Sequence, residues 1–319
     1  MISEFDLIAQ FFTRPTRKAS LGIGDDCALL TPSIGHQIAI SCDMLVAGTH
    51  FFADTDPREL GHKSLAVNLS DLAAMGAKPI AFTLALALPA PDAVWLRPFS
   101  EGMFALADQH DCELIGGDTT RGPLNICITI FGEVAAGQAL RRDNAQIGDD
   151  IWISGTLGDA RLALAGMRNE LKLDPNTLSK AAARLHSPSP RIALGLALCG
   201  IAHAAIDISD GLAGDLKHIL ERSRLGATLE VDALPAGAML SSQPLELRRQ
   251  FMLGGGDDYE LCFTAPPSSR AAILEAASSA GTPVTRIGMI EQLPGLRLID
   301  SMGNQVASSS GSFDHFLAK

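Results

Sequence analysis

Aromatic side chains make up only 5% of the 319 residues, and the single tyrosine, Tyr259, is expected to pack its ring at the start of a strand. Positive charge is also in short supply. The 25 Lys and Arg stand against 36 Asp and Glu, and a net charge of −11 argues against a nucleic-acid backbone or an anionic membrane surface as the main partner. No apolar run reaches the roughly 20 residues of a bilayer span; residues 79–91 come nearest and read as a strand with punctuation. The N-terminal stretch carries Glu4 and Asp6 where a signal peptide wants cations, and no small-residue cleavage site follows, so a cytoplasmic location is expected. The six cysteines (27, 42, 112, 127, 199 and 262) form no C-x-x-C pair, which fits incidental thiols better than a zinc site or a disulfide framework. The G-x-x-x-x-G-K-[ST] loop of Walker-type nucleotide enzymes is missing; the nearest string, Gly61-His62-Lys63-Ser64, lies inside an expected helix. Without a G-x-S-x-G elbow or an H-E-x-x-H pair, acyl transfer and zinc hydrolysis lose ground.

What the chain does have is apolar material: 47% hydrophobic and 19% charged residues, enough for roughly two domains. Two short strands are expected between 21 and 55, the clearer at 38–41, each running into an acidic turn. Asp56-Pro57 opens a helix that runs to Met75 and stops at Gly76, with Leu65, Leu69 and Leu72 on one face. A strand at 80–88, a helix at 92–110 and a strand at 125–134 complete a mixed α/β half. Composition turns polar and charged over 140–150, which divides the chain into 1–140 and 141–319. The second half alternates again: strand 151–154, helices 159–169, 177–186 and 191–199, strands 228–232 and 260–264, helix 268–279 and strand 284–290.

One local pattern recurs. Six times an apolar or small-residue segment ends in Gly, Ser or Cys followed by Asp: LGIGDD (Asp25, Asp26), IAISCD (Asp43), AVNLSD (Asp71), ELIGGD (Asp118), AAIDISD (Asp207, Asp210) and FMLGGGDD (Asp257, Asp258). Five read as strand ends and one lies on a helix. Small residues let a backbone approach a ligand, and Asp offers hard oxygen on a short, stiff side chain, a combination suited to Mg²⁺ and phosphate. Each Asp taken singly is more often a turn former or a helix cap, and Asp210 before Gly-Leu could be only a cap. Recurrence favours the ligand reading, because carboxylates that gather without cations repel one another. Arg121, Arg141 and Arg142 are placed to counter phosphate charge, or to sit solvated on the surface. His50 follows the Asp43 segment closely.

Taken together, GIGDDCALL, VNLSDLAAMGAKP, IGGDTTRGP, the SPSPR turn, DISDGLAGDL and GGGDDYELCF occur in an order and spacing that resembles the thiamine-monophosphate kinase family, in the superfamily of aminoimidazole ribonucleotide synthetase and selenophosphate synthetase. The resemblance runs from Phe5 to His315. It implies a two-domain, mixed α/β, aminoimidazole ribonucleotide synthetase-like fold. The N-terminal domain would bind ATP and Mg²⁺ and pair through its sheet in a homodimer, and the C-terminal domain would complete the active site. It also implies Mg²⁺-dependent transfer of the ATP γ-phosphate to thiamine monophosphate. Carried over by position, Asp26, Ser41, Cys42, Asp43, Asp71, Asp118, Asp207 and Asp210 would hold several Mg²⁺ ions. Gly117, Asp118, Arg142 and Ser209 would contact ATP, and His50, Asp257 and Phe313 would face the thiamine substrate, with no residue named as a general base. Family members usually carry Thr where Cys42 stands, and Glu where the shorter Asp257 stands. Selenophosphate synthetase is disfavoured because no reactive Cys precedes Cys27. Another ATP-dependent enzyme of the superfamily, or a silent metal- or nucleotide-binding regulator, are the alternatives.

Overall fold

The computed structural model describes residues 3–307. The chain folds into two compact units, Met1–Leu72 with Ala77–Gly137, and Ala73–Gly76 with Gln138–Lys319. Among the described residues no helix is long and apolar enough to cross a membrane.

The first unit opens with α1 (Glu4–Phe11), closed at its start by a capping box in which Ser3 and Asp6 satisfy each other's backbone N–H. A small hairpin follows, β1 (Ala19–Leu21) against β2 (Leu29–Leu30), and then β3 (His36–Val46), α2 (Pro57–Ala74), β4 (Lys78–Leu88), α3 (Ala93–Gln109), β5 (Glu113–Arg121) and β6 (Asn125–Ala135). The four long strands form one sheet in the order β3-β6-β4-β5, parallel between β4 and β5 and antiparallel elsewhere. Because strand side chains alternate, each face of β3 has its own composition. Ser41, Asp43 and Leu45 pair with the buried Ile130, Ile128 and Ile126, while Ile40, Cys42 and Met44 pair with Phe131, Thr129 and Cys127 on the other, more open face.

The expected helix over 56–75 forms as α2, started by the Asp56 carboxylate, which accepts the N–H of Arg58 at 2.8 Å and of Glu59 at 3.2 Å. Leu65, Leu69 and Leu72 are buried as expected, but Lys63, Ser64, Asn68 and Ser70 are buried too, so α2 is enclosed nearly all round rather than amphipathic. Two glycines set its distance from α3. A Cβ on Gly61 would lie 2.0 Å from the Phe99 carbonyl oxygen, and one on Gly102 would lie 2.0 Å from that of Arg58, so each helix rests on the other's main chain.

The second unit contains β7 (Asp150–Ser154), α4 (Asp159–Met167), α5 (Pro175–His186), α6 (Ile192–Leu198), β8 (Ala204–Asp207), α7 (Leu212–Ser223), β9 (Gly226–Glu230), α8 (Leu245–Gly254), β10 (Leu261–Ala265), α9 (Arg270–Ser279), β11 (Val284–Glu291) and β12 (Gly295–Ile299). Its sheet runs β12-β9-β11-β7-β10-β8, and only the β9–β12 pair is parallel. Every residue of β7 and β10 is buried, as the continuous apolar runs at 151–154 and 260–264 require. The elements expected from periodicity are present within a few residues of their sequence bounds. Helices α7 and α8 were not anticipated, although the buried Leu212, Leu216, Ile219 and Leu220 of α7 fall at helical spacing.

The structure corrects two strand ends, and it makes the segment before Asp257 the end of helix α8 rather than of a strand. The strand expected to finish at residue 41 continues to Val46, so Asp43 stands inside β3, opposite Ile128. Asp118, expected at a strand end, stands inside β5 in register with Ala85. In both cases the small residues before Asp sit within a hydrogen-bonded ladder that neighbouring strands carry through.

Candidate functional site

In the first unit the side of β3 that faces the core places Ser41 and Asp43 next to one face of α2. Residues three apart on a helix share a face, so Asn68 and Asp71 project together. Ser41 Oγ donates a short hydrogen bond to the Asp71 carboxylate. The Asp43 N–H donates to Asn68 Oδ1 at 3.2 Å, and Asn68 Nδ2 donates to the Ser64 carbonyl at 3.0 Å. The sequence reading did not single out Asn68, which ties Asp43 to α2. The available signal was a polar amide within an otherwise apolar helical stretch, immediately before Leu-Ser-Asp.

Cys42 requires a correction. Strand alternation turns its thiol to the opposite face from Ser41 and Asp43, where its Sγ lies 3.4 Å from Cys127 Sγ and accepts from Thr129 Oγ1 at 3.4 Å. Burial, followed by the contact with Cys42, pushes the Cys127 thiol up to about 11. A side-chain metal contact from Cys42 therefore does not accompany the Ser41 and Asp43 side chains, which leaves only its backbone on offer.

His50 sits in the turn after β3, and the Val46 N–H donates to its Nδ1 at 3.0 Å. In the neutral ring this fixes the proton on Nε2, giving the outer nitrogen donor character. Asp26 lies on the exposed turn between β1 and β2. Gly117 has φ +143, and a Cβ there would meet the Leu84 carbonyl oxygen at 1.9 Å, so the glycine is required by the approach of β5 to β4.

In the second unit Asp207 is the last residue of β8 and is buried opposite Leu261. The chain then turns through Ser209, Asp210 and Gly211 into α7. The N-cap of that helix is Gly211, which has no side chain to offer. Instead, Asp215 reaches back from the first turn of α7, and its Oδ2 accepts the N–H groups of Ser209, Asp210 and Gly211, each at 3.1 Å. Burial, with the neighbouring negative charge of Asp210, pushes the Asp215 carboxyl up to about 7 against the pull of these three donors.

The 256–260 segment lies alongside this turn. The Asp257 N–H donates to the Ser209 carbonyl at 2.9 Å and the Tyr259 N–H to the Ile208 carbonyl at 2.8 Å. Asp257 and Tyr259 adopt φ +67 and +50, a left-handed conformation that costs a non-glycine residue about 1 kcal/mol or more. Tyr259 is buried at the start of β10, as its ring was expected to be, and its hydroxyl donates to Asp257 Oδ1 at 3.4 Å.

Two buried acids hold the segment in place. The Asp258 carboxylate accepts the Gly158 N–H at 2.9 Å on both oxygens, and burial raises its pKa well above the usual carboxylate value. Glu260 is fully buried and is matched by Arg184 at 2.8 Å, Arg191 at 2.5 Å and Ser154 Oγ at 2.6 Å. The sequence reading assigned no role to Arg184, Arg191 or Glu260, although the arginine of the SPSPR turn was a visible clue. Arg142 is exposed, and its carbonyl accepts from Ser223 Oγ at 3.0 Å. Phe313 lies outside the described residues.

Among the described residues no three His, Cys, Asp or Glu side chains come together closely enough to hold one metal ion. The donor chemistry nevertheless fits Mg²⁺. The Ser41, Asp43 and Asp71 side chains offer only hard oxygen, and the soft thiol of Cys42 is turned away. Mg²⁺ is commonly held by one or two carboxylates, with water and substrate phosphates completing its shell.

Residues 24–134 match the family described as AIR synthase related protein, N-terminal domain, and residues 146–301 match AIR synthase related protein, C-terminal domain. The thiamine-monophosphate kinase of Salmonella typhimurium is 48% identical over 320 residues, 98% of each chain. The crystal structure of thiamine-monophosphate kinase from Stenotrophomonas maltophilia K279a superposes with a TM-score of 0.84 at 48% identity, covering 92% of this chain and 94% of that one. The structure of AaThiL complexed with AMPPCP and TMP gives a TM-score of 0.78 at 26% identity, with 90% and 89% covered.

Proposed function

The chain belongs to the thiamine-monophosphate kinase family of AIR synthase related proteins, and from that premise we infer that it transfers the γ-phosphoryl group of ATP to thiamine monophosphate, giving thiamine diphosphate and ADP. The observation that carries the reading is identity of 48% sustained over 98% of both chains, which spans both units and every acidic segment. The AaThiL complex with AMPPCP and TMP supports the same pair of ligands.

The acceptor explains why no general base is named. A phosphate monoester has its second pKa near about 6 and is largely ionised at neutral pH, so it attacks ATP without losing a proton to the protein. The remaining task is to align two anions and offset their repulsion. Asp26, Ser41, Asp43, Asp71, Asp118, Asp207 and Asp210 are the residues that would hold Mg²⁺. When bound, Mg²⁺ supplies charge neutralisation on the phosphate oxygens. Gly117, Asp118, Arg142 and Ser209 are assigned to ATP. His50 and Asp257 are assigned to the acceptor, His50 presenting Nε2–H as a donor and Asp257 a carboxylate beside the Tyr259 hydroxyl.

Pairing of two copies through the sheet of the first unit belongs to the same reading. Ile40 and Met44 are 63% and 54% exposed on the open face of β3, a cost that a partner surface would relieve.

Phosphorus NMR of the protein with MgATP and thiamine monophosphate tests the activity. Diphosphate resonances of thiamine diphosphate alongside ADP are the expected result. ATP consumed only with a different acceptor would transfer the reading to another enzyme of the superfamily, and binding without turnover would leave a regulator.

A further inference from the structure

Asp215 has no place in the ligand sets above, yet it is 3% exposed and one of its carboxylate oxygens receives three consecutive backbone N–H groups. Consecutive amides converge on a single acceptor only where the chain curls around it, as in the nests that bind anions. Here the anion is the protein's own, delivered from the first turn of α7.

The opposite side of the turn is held as well. The Ser209 carbonyl accepts the Asp257 N–H at 2.9 Å, and a Cβ on Gly256 would stand 2.3 Å from that same oxygen. Gly211 has φ +118, and a Cβ there would lie 2.9 Å from the Gly254 carbonyl carbon. The turn is therefore clamped between α7 and the glycine segment at 254–256. With the three amides committed to Asp215, the directions of the Ser209 and Asp210 side chains are set by the backbone.

We propose that Asp215 is a positioning residue for phosphoryl transfer, which fixes the Ser209–Asp210–Gly211 turn so that Ser209 and Asp210 are presented to the metal–nucleotide substrate. The proposal rests on the functional reading above. A helix cap with no further role would affect melting alone. A positioning residue alters the response to nucleotide and metal, and its effect follows hydrogen-bond acceptance rather than charge.

The test compares Asp215→Ala, which leaves three donors without an acceptor, with Asp215→Asn, which keeps an oxygen of the same reach. Asp215→Ala is expected to raise KM for ATP and the half-saturating Mg²⁺ concentration by about tenfold or more, and Asp215→Asn to recover most of that loss. Wild-type constants in Asp215→Ala would overturn the proposal, as would an Asn variant as impaired as Ala.

Calorimetry of a non-hydrolysable ATP analogue with Mg²⁺ repeats the comparison without turnover, so failure of the acceptor assignment and failure of the positioning role are told apart. If Asp215→Ala does not fold, amide hydrogen exchange in the unaltered protein decides. Protection of the Ser209, Asp210 and Gly211 amides is expected, and exchange at the rate of an open turn would overturn the proposal.

Discussion

Asp71 combines two properties at one position: a carboxylate on a buried helix and a hydroxyl donor, Ser41, from the adjacent strand. Asp71→Asn keeps an oxygen for that hydrogen bond and removes the charge. Turnover is expected to fall by about 10²–10³-fold, the scale of losing one electrostatic contact at a transferring group, with circular dichroism unchanged. Near-normal activity would remove Asp71 from the metal set. At this scale residue type marked Asp43, Asp71, Asp207 and Asp210 as acids after small residues, the family resemblance added Ser41, and the structure sets the Ser41 hydroxyl on the Asp71 carboxylate. The sequence was illegible where direction matters. Cys42 stands where family members usually carry Thr, and alternation along β3 sends its thiol to the other face. Asn68 and Asp215 accept backbone N–H groups that only the fold brings to them, so the polar amide of Asn68 in an apolar stretch was the one local mark.

At the level of elements, β5 and β7 show how far local rules reach. Gly117→Ala forces a methyl group to within 1.9 Å of the Leu84 carbonyl at a φ of +143. The variant is expected to lose about 2 kcal/mol or more of stability, measured as a lower denaturation midpoint, whether or not ATP touches this glycine. β7 carries Asp150, whose carboxylate is held below the usual range first by Arg270 and then by Arg286, at 2.6 and 2.5 Å. A carboxyl whose folded pKa is depressed contributes stability above its unfolded pKa and loses it as the pH falls through the folded one. Asp150→Asn should therefore melt lower than the unaltered protein at neutral pH, and the gap should narrow in acid below the ordinary carboxylate range. A gap that persists at low pH would assign the loss to packing instead. Element type was legible for the long apolar strands and for α2, whose Asp-Pro start and Gly stop are local signals. The extension of β3 and β5 through their aspartates was not, since it depends on neighbours β6 and β4 that sequence does not place alongside them.

For the whole molecule, the mixed α/β class was visible in periodicity, whereas strand order was not: β3-β6-β4-β5 and β12-β9-β11-β7-β10-β8 both place distant segments side by side. Association belongs to this scale. Light scattering should give a mass near twice that of one chain, and paired substitution of Ile40→Lys and Met44→Glu should reduce it to one while leaving the folded spectrum intact. A monomeric, active unaltered protein would end the pairing proposal. The crossing of α2 and α3 adds a constraint on how the protein can change. Since Gly61 and Gly102 each abut a peptide carbonyl rather than a side chain, no complementary substitution elsewhere can make room for a larger residue at either position. The spacing of α2 from α3 is thus gauged by main chain at these two positions, and variation in the surrounding apolar residues can alter rigidity or melting without retuning that spacing.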